Sequence, residues 1–157
     1  MCDYSLCGVP NRLAVEGEEL VFHRFPTGSM GLASPVDLAT VHASPSAEPK
    51  GVWQRIKNFI EGEVTLRSVT AVCIPPGAQL VLKSMPEDLQ QKWQIGAEES
   101  AFFIQTSANA NSYRDAVCFY DGTQVSLQSF REGIRAEVLS LGGAAPDEDR
   151  LRTVQAF

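Results

Sequence analysis

Apolar and polar positions alternate along Glu18–Phe25, which puts Val21, His23 and Phe25 on one face of a strand and Leu20, Phe22 and Arg24 on the other. The cluster Thr27-Gly28-Ser29-Met30-Gly31 then supplies turn glycines, and a short strand is expected around Met30–Ala33. The period changes after the small, proline-punctuated run Ala43–Pro49. Val52, Trp53, Ile56, Phe59 and Ile60 recur at helical spacing with Gly62 as a stop, so a helix is predicted over 50–61.

Val64–Ile74 and Gln79–Leu82 read as strands divided by Pro75-Pro76-Gly77, which a strand interior would not tolerate. Ser84-Met85-Pro86-Glu87-Asp88 carries the polar cap and acidic first turn of a second, shorter helix near 86–94. Strands follow at Ala101–Thr106, Arg114–Tyr120, Thr123–Phe130 and Ile134–Leu141, with Asp121-Gly122 suited to a type I′ hairpin and Asn109–Ser112 to an exposed loop. This last third predicts a three-stranded meander. The expected architecture is α+β and β-dominated: an antiparallel sheet curled toward a small barrel or sandwich, with one or two short helices. One domain over 1–157 is expected, with the tail 142–157 loosely ordered.

Composition changes this picture little. The chain has 157 residues, 44% hydrophobic and 20% charged, within the range of globular proteins that bury one core. A net charge of -6 repels phosphate backbones and anionic lipid, so neither nucleic acid nor a membrane is an expected partner; Lys50, Arg55 and Lys57 form the one basic strip worth noting. No apolar run spans a bilayer and Met1-Cys2-Asp3-Tyr4 does not open a signal peptide, which leads to a cytoplasmic expectation. In that setting the four cysteines, Cys2, Cys7, Cys73 and Cys118, are expected to form no structural disulfide.

Candidate chemistry concentrates at the amino terminus. Cys2 and Cys7 lie close in sequence, so two thiolates could meet one soft or borderline metal ion, with the terminal amine and first amide within reach. Over residues 2–9, Cys2-Asp3 followed by Cys7-Gly8-Val9 resembles the nickel-binding hook of nickel superoxide dismutase. That resemblance implies a metal set of Met1, Cys2 and Cys7, with His23 or His42 replacing the family's leading histidine, and nickel, copper or iron as cofactor. Here the cysteines stand one residue further apart than in the family.

Met1-Cys2 also resembles the start of N-terminal-nucleophile hydrolases and class II glutamine amidotransferases, although Asp3 stands where those amidotransferases carry glycine. By that likeness Cys2 would be the catalytic nucleophile and its own α-amine the base, once Met1 is removed. The third reading is a non-catalytic binding or assembly module in which every cysteine is structural; a homo-oligomer is the partner arrangement considered.

Other positions carry simpler expectations. Cys73 and Cys118 sit in apolar strand patterns and read as small core residues. Paired C-x₂-C knuckles and H-E-x-x-H spacing are both missing from the sequence, which removes the usual zinc signatures. Trp53 and Trp93 read as core aromatics, Thr27–Leu32 as a hairpin turn rather than a phosphate loop, and Arg114 as a surface arginine with Asp115 beside it.

Overall fold

The computed structural model describes residues 6–43, 69–109 and 112–142, with the backbone alone for 41–43. Within them lie β1 (Asn11–Leu13), β2 (Glu19–Arg24), β3 (Met30–Ala33), α1 (Pro35–Ala43), β4 (Ala71–Cys73), β5 (Gln79–Lys83), α2 (Glu87–Trp93), β6 (Glu99–Gln105), β7 (Asp115–Phe119), β8 (Gln124–Ser126) and β9 (Arg135–Ser140). The strands form one nine-stranded sheet in the order β1-β4-β3-β2-β9-β5-β6-β7-β8. The protein is therefore α+β with the sheet dominant.

The sheet is open, which corrects the barrel or sandwich expectation, and it is mixed, because β1 and β4 run parallel with Asn11 opposite Ala71 and Leu13 opposite Cys73. The other seven pairings are antiparallel. The three-stranded meander expected over 114–141 is corrected: β7 and β8 form its hairpin, but the third strand, β9, does not pair with β8 and inserts between β2 and β5, while β6 lies on the other side of β7. Turn chemistry explains a local strand pair; it does not say which distant strand will supply the next ladder.

One face of this curved sheet wraps the main core. Leu20 and Phe22 of β2, Leu80 and Leu82 of β5, Val117 and Phe119 of β7 and Ala136 and Val138 of β9 all turn inward, as the two-residue strand period requires. Leu89 and the partly buried Trp93 of α2 close over them, with the Trp93 ring 4.9 Å from Phe130 and 6.4 Å from Phe119. Each fully buried Leu or Phe contributes roughly 2–3 kcal/mol of transfer free energy.

Val21, His23 and Phe25 face the other way, toward a second cluster made by Leu6, Phe25, Ala33 and Ala71, with Val9, Leu38 and Val69 packed against it. The two-face reading of β2 holds, and both faces are covered to some degree. Packing behind β2 and β3 comes from the first described residues and from α1.

Local turns follow glycine. Gly28 (φ 84°) and Gly122 (φ 89°) occupy the same place in two similar hairpins: Phe25 N–H bonds Ser29 C=O and Phe119 N–H bonds Thr123 C=O, each at 2.9 Å. Asp121 does not take a positive φ, so the turn is not type I′. Its carboxylate instead accepts from the Thr123 N–H and hydroxyl at 2.8 and 2.9 Å, an Asx-type brace that holds Asp121 on the right-handed side and leaves the left-handed residue to Gly122.

α2 lies where the second helix was expected. The predicted 50–61 helix, Trp53 and the tail beyond Gly142 lie outside the described residues. α1 was not anticipated: its apolar positions make only a weak stripe, yet Pro35 at the first turn, Asp37 near the amino end and the Ser34 carbonyl accepting from Leu38 N–H at 3.2 Å form a helix start.

Candidate functional site

The residues of interest gather on the second face of the sheet. A tight turn, closed by Val9 N–H to Leu6 C=O at 3.0 Å and using Gly8 at φ 84°, leads into β1. Its neighbouring side chains separate: Leu6 is buried at 6% exposure while Cys7 is exposed with a free thiol. Leu6 sits over Gly31. A Cβ at Gly31 would come 2.9 Å from Phe25 Cε2 and 3.0 Å from Leu6 Cδ1, so the absence of a side chain there is what lets both fit.

Beneath Leu6 is a cavity of about 10 Å³, lined by Leu6 and Gly31 together with Cys73, Phe103, Asp115 and Leu127. That is room for about one water molecule and not for an organic substrate. Arg114, expected at the surface, is half-buried, and the adjacent Asp115 is buried at 7% exposure. Gln105 donates to its Oδ1 at 3.0 Å, so the carboxyl enters the interior with a polar partner rather than alone.

Cys73 ends β4, and strand alternation puts it on the same face as Ala71, toward Leu6. It is 5% exposed, as a core cysteine should be, and it is disulfide-bonded. The expectation of reduced thiols throughout is thereby overturned. That expectation came from a presumed compartment, and no residue pattern in β4 could reveal the covalent partner.

Cys118 behaves as anticipated: it is free, 1% exposed and buried on β7. Burial, with the Asp121 carboxylate as a smaller cause, pushes its thiol pKa up and keeps it protonated.

His23 has a structural setting. Its Nδ1 lies 3.2 Å from Glu132 Oε1, its ring meets Phe25 edge to face at 5.0 Å, and the same Glu132 oxygen accepts from Arg24 N–H at 2.7 Å. Among the described residues no three His, Cys, Asp or Glu side chains gather as a metal site. Met1 and Cys2, two members of the expected metal set, lie outside the described residues, as does the side chain of His42. Cys7 and His23 are therefore the members whose positions can be stated: one points to solvent, the other is engaged by Glu132 and Phe25.

Away from this face, Glu18 gathers a well-defined polar cluster. It accepts two bonds from the Arg12 guanidinium and one from Val15 N–H at 3.1 Å. The Arg12 hydrogen bonds hold the Glu18 carboxyl below its ordinary pKa against the opposing effect of burial, and the Arg12 pKa is raised in turn. This pair fixes the β1–β2 connection. The described residues hold no helix long and apolar enough to cross a membrane.

No protein-family model matches the chain, and neither a curated protein nor a solved structure matches it.

Proposed function

We propose that this chain is a non-catalytic binding or assembly module whose cysteines serve structure. The observation that carries this reading is the state of the cysteine-bearing face: Cys73 is committed to a disulfide, and the space beside it under Leu6 accommodates about one water. Polar groups around this face have partners within the fold, Asp115 in Gln105 and His23 with Arg24 in Glu132. Leu13 and Val15, 65% and 62% exposed at and just after the end strand β1, provide the apolar contact surface. A three-residue strand offers little backbone ladder, so side chains would dominate such a contact. A second copy of this chain is the first partner to examine.

A metal- or redox-active protein using Met1, Cys2, Cys7 and His23, with nickel, copper or iron, is the competing reading. The exposed free thiol of Cys7 favours it. Hydrolysis by Cys2 requires a free thiol there after removal of Met1. The disulfide at Cys73 is at odds with the reduced thiols expected of a cytoplasmic protein, since stable disulfides belong chiefly to oxidising compartments.

Elemental analysis of untagged protein, alongside Cys7→Ala, separates these readings. The structural reading expects no stoichiometric transition metal in either sample; one metal ion per chain that disappears in Cys7→Ala would overturn it. For the contact surface, light scattering over a concentration series should show association in the wild type and less of it in Leu13→Lys/Val15→Lys. A monomer at every concentration removes self-assembly.

A further inference from the structure

We infer that Arg12 and Glu18 guard the outer edge of β1, and that without this guard the edge pairs antiparallel with β1 of a second copy. The inference goes beyond the side-chain contact proposed above, because it concerns backbone groups and holds whether or not the wild type self-associates.

The direction of the backbone groups follows from the bonds to β4. Ala71 N–H reaches Pro10 C=O at 2.8 Å and Ala14 N–H reaches Cys73 C=O at 2.9 Å, in a parallel ladder with Asn11 opposite Ala71 and Leu13 opposite Cys73. Successive residues of a strand turn their N–H and C=O to opposite sides. Pro10, Arg12 and Ala14 therefore face β4, while Val9, Asn11, Leu13 and Val15 present their backbone groups outward. β1 ends the sheet of described strands, and Asn11, Leu13 and Val15 are exposed. Such an apolar edge is a template for another strand.

Much of that edge is already occupied. Val9 N–H bonds Leu6 C=O at 3.0 Å, and the Asn11 side-chain amide donates to Val9 C=O at 3.3 Å. From Leu13 onward the guard takes over. Arg12 Nη1 donates to Leu13 C=O at 3.1 Å, Glu18 Oε2 accepts from Val15 N–H at 3.1 Å, and Glu18 N–H bonds Val15 C=O at 3.1 Å. The guanidinium and carboxylate also bond each other twice, Nη1 to Oε2 at 3.0 Å and Nη2 to Oε1, so each holds the other in place.

A second copy is the partner because the occupied groups match this strand's own register. In an antiparallel pair with its two-fold axis at Leu13, the two Leu13 residues exchange N–H···O=C bonds, and each Val15 N–H reaches Asn11 C=O of the other copy. Each of these four bonds needs a group that Arg12 or Glu18 occupies, Leu13 C=O in two and Val15 N–H in two. The guard blocks that ladder and leaves the Leu13 and Val15 side chains open to contact.

Light scattering combined with amide hydrogen exchange tests the guard on the full chain. Arg12→Ala/Glu18→Ala should dimerise at least tenfold more tightly than the wild type, and its Leu13 amide should exchange at least tenfold more slowly at high than at low concentration. Added to that variant, Leu13→Ala keeps the N–H and should keep the dimer, whereas Leu13→Pro removes the donor and should abolish it. Association that survives Leu13→Pro runs through side chains and overturns the inference while leaving the contact proposed above standing; wild-type behaviour in the double variant overturns it too.

If the double variant does not fold, Arg12→Met supplies the same test, since it frees Leu13 C=O and leaves Glu18 on Val15 N–H. It should dimerise more readily than the wild type with the same slowing at Leu13. No gain in association for Arg12→Met sinks the guard.

Discussion

The Gln128 side chain pairs with the backbone of Met30 as a strand would: Met30 N–H donates to Gln128 Oε1 at 2.9 Å, and Gln128 Nε2 donates to Met30 C=O at 3.0 Å. Met30 begins β3, whose ladder to β4 is registered only at Ala33 and Ala71. Gln128 lies in the 3₁₀ turn Leu127–Ser129 that follows β8 at the far end of the sheet. One amide therefore ties the turn after the end strand β8 to β3, near the other end of the sheet, where the described strands form no ladder between them. Gln128→Ala should cost about 1–3 kcal/mol in urea unfolding, because two partly buried backbone groups lose their partner. Gln128→Glu should recover stability in acid, where a protonated carboxyl again both donates and accepts; a pH-independent loss would contradict this account.

Gly31 and Leu6 should be energetically coupled. Gly31→Ala pushes a methyl against Phe25 and Leu6 and should cost about 1–3 kcal/mol. Leu6→Ala should cost about 2–3 kcal/mol through the cavity it leaves. In the double variant the two losses should fall short of their sum, since the missing leucine makes room for the new methyl; strict additivity in a double-mutant cycle would show that Leu6 does not occupy this seat.

The Arg12–Glu18 pair sets a pH dependence. The folded Glu18 pKa is lowered from 4.5, chiefly by the Arg12 hydrogen bonds, so the ionised carboxylate is worth more in the folded state than in the unfolded one. Its contribution is fully present above the unfolded value and is lost as pH falls through the lower folded value. Glu18→Gln should therefore be less stable than wild type at pH 7 by about 1 kcal/mol, a figure held down by the solvent exposure of Arg12, and the difference should vanish in strong acid. Denaturation midpoints at pH 7, 4 and 2 measure this.

Thiol reactivity should divide the two free cysteines. An alkylating reagent at pH 8 should label the exposed Cys7 within minutes and leave Cys118 unlabelled until the protein unfolds, because Cys118 is sealed on β7 and its thiol pKa is raised. Labelling followed by peptide mapping should find Cys7 modified in native protein and Cys118 modified only in denaturant. Modification of Cys118 under native conditions would place it outside the core.

Gly122 carries the β7–β8 turn at φ 89°, with open space where a Cβ would lie. Gly122→Ala should thus lose about 1–2 kcal/mol from backbone strain alone, and Gly122→Asn less, as measured by thermal unfolding.

What the sequence determined by itself is what lies within a few residues along the chain. Alternation at Leu20–Phe25 specified two faces, glycines at 28 and 122 specified turns, the acids at 87 and 88 marked the start of α2, and the apolar setting of Cys118 marked a core thiol. Tertiary structure decided what depends on distant partners. It inserted β9 between β2 and β5, set β1 parallel to β4, joined Gln128 to Met30, gave Leu6 its seat over Gly31, paired His23 with Glu132 and placed Cys73 in a disulfide. Backbone preferences and side-chain periodicity act over one turn or one strand. Ladder order, sulfur pairing and the burial of Asp115 are settled by which surfaces meet when the whole chain closes around its core.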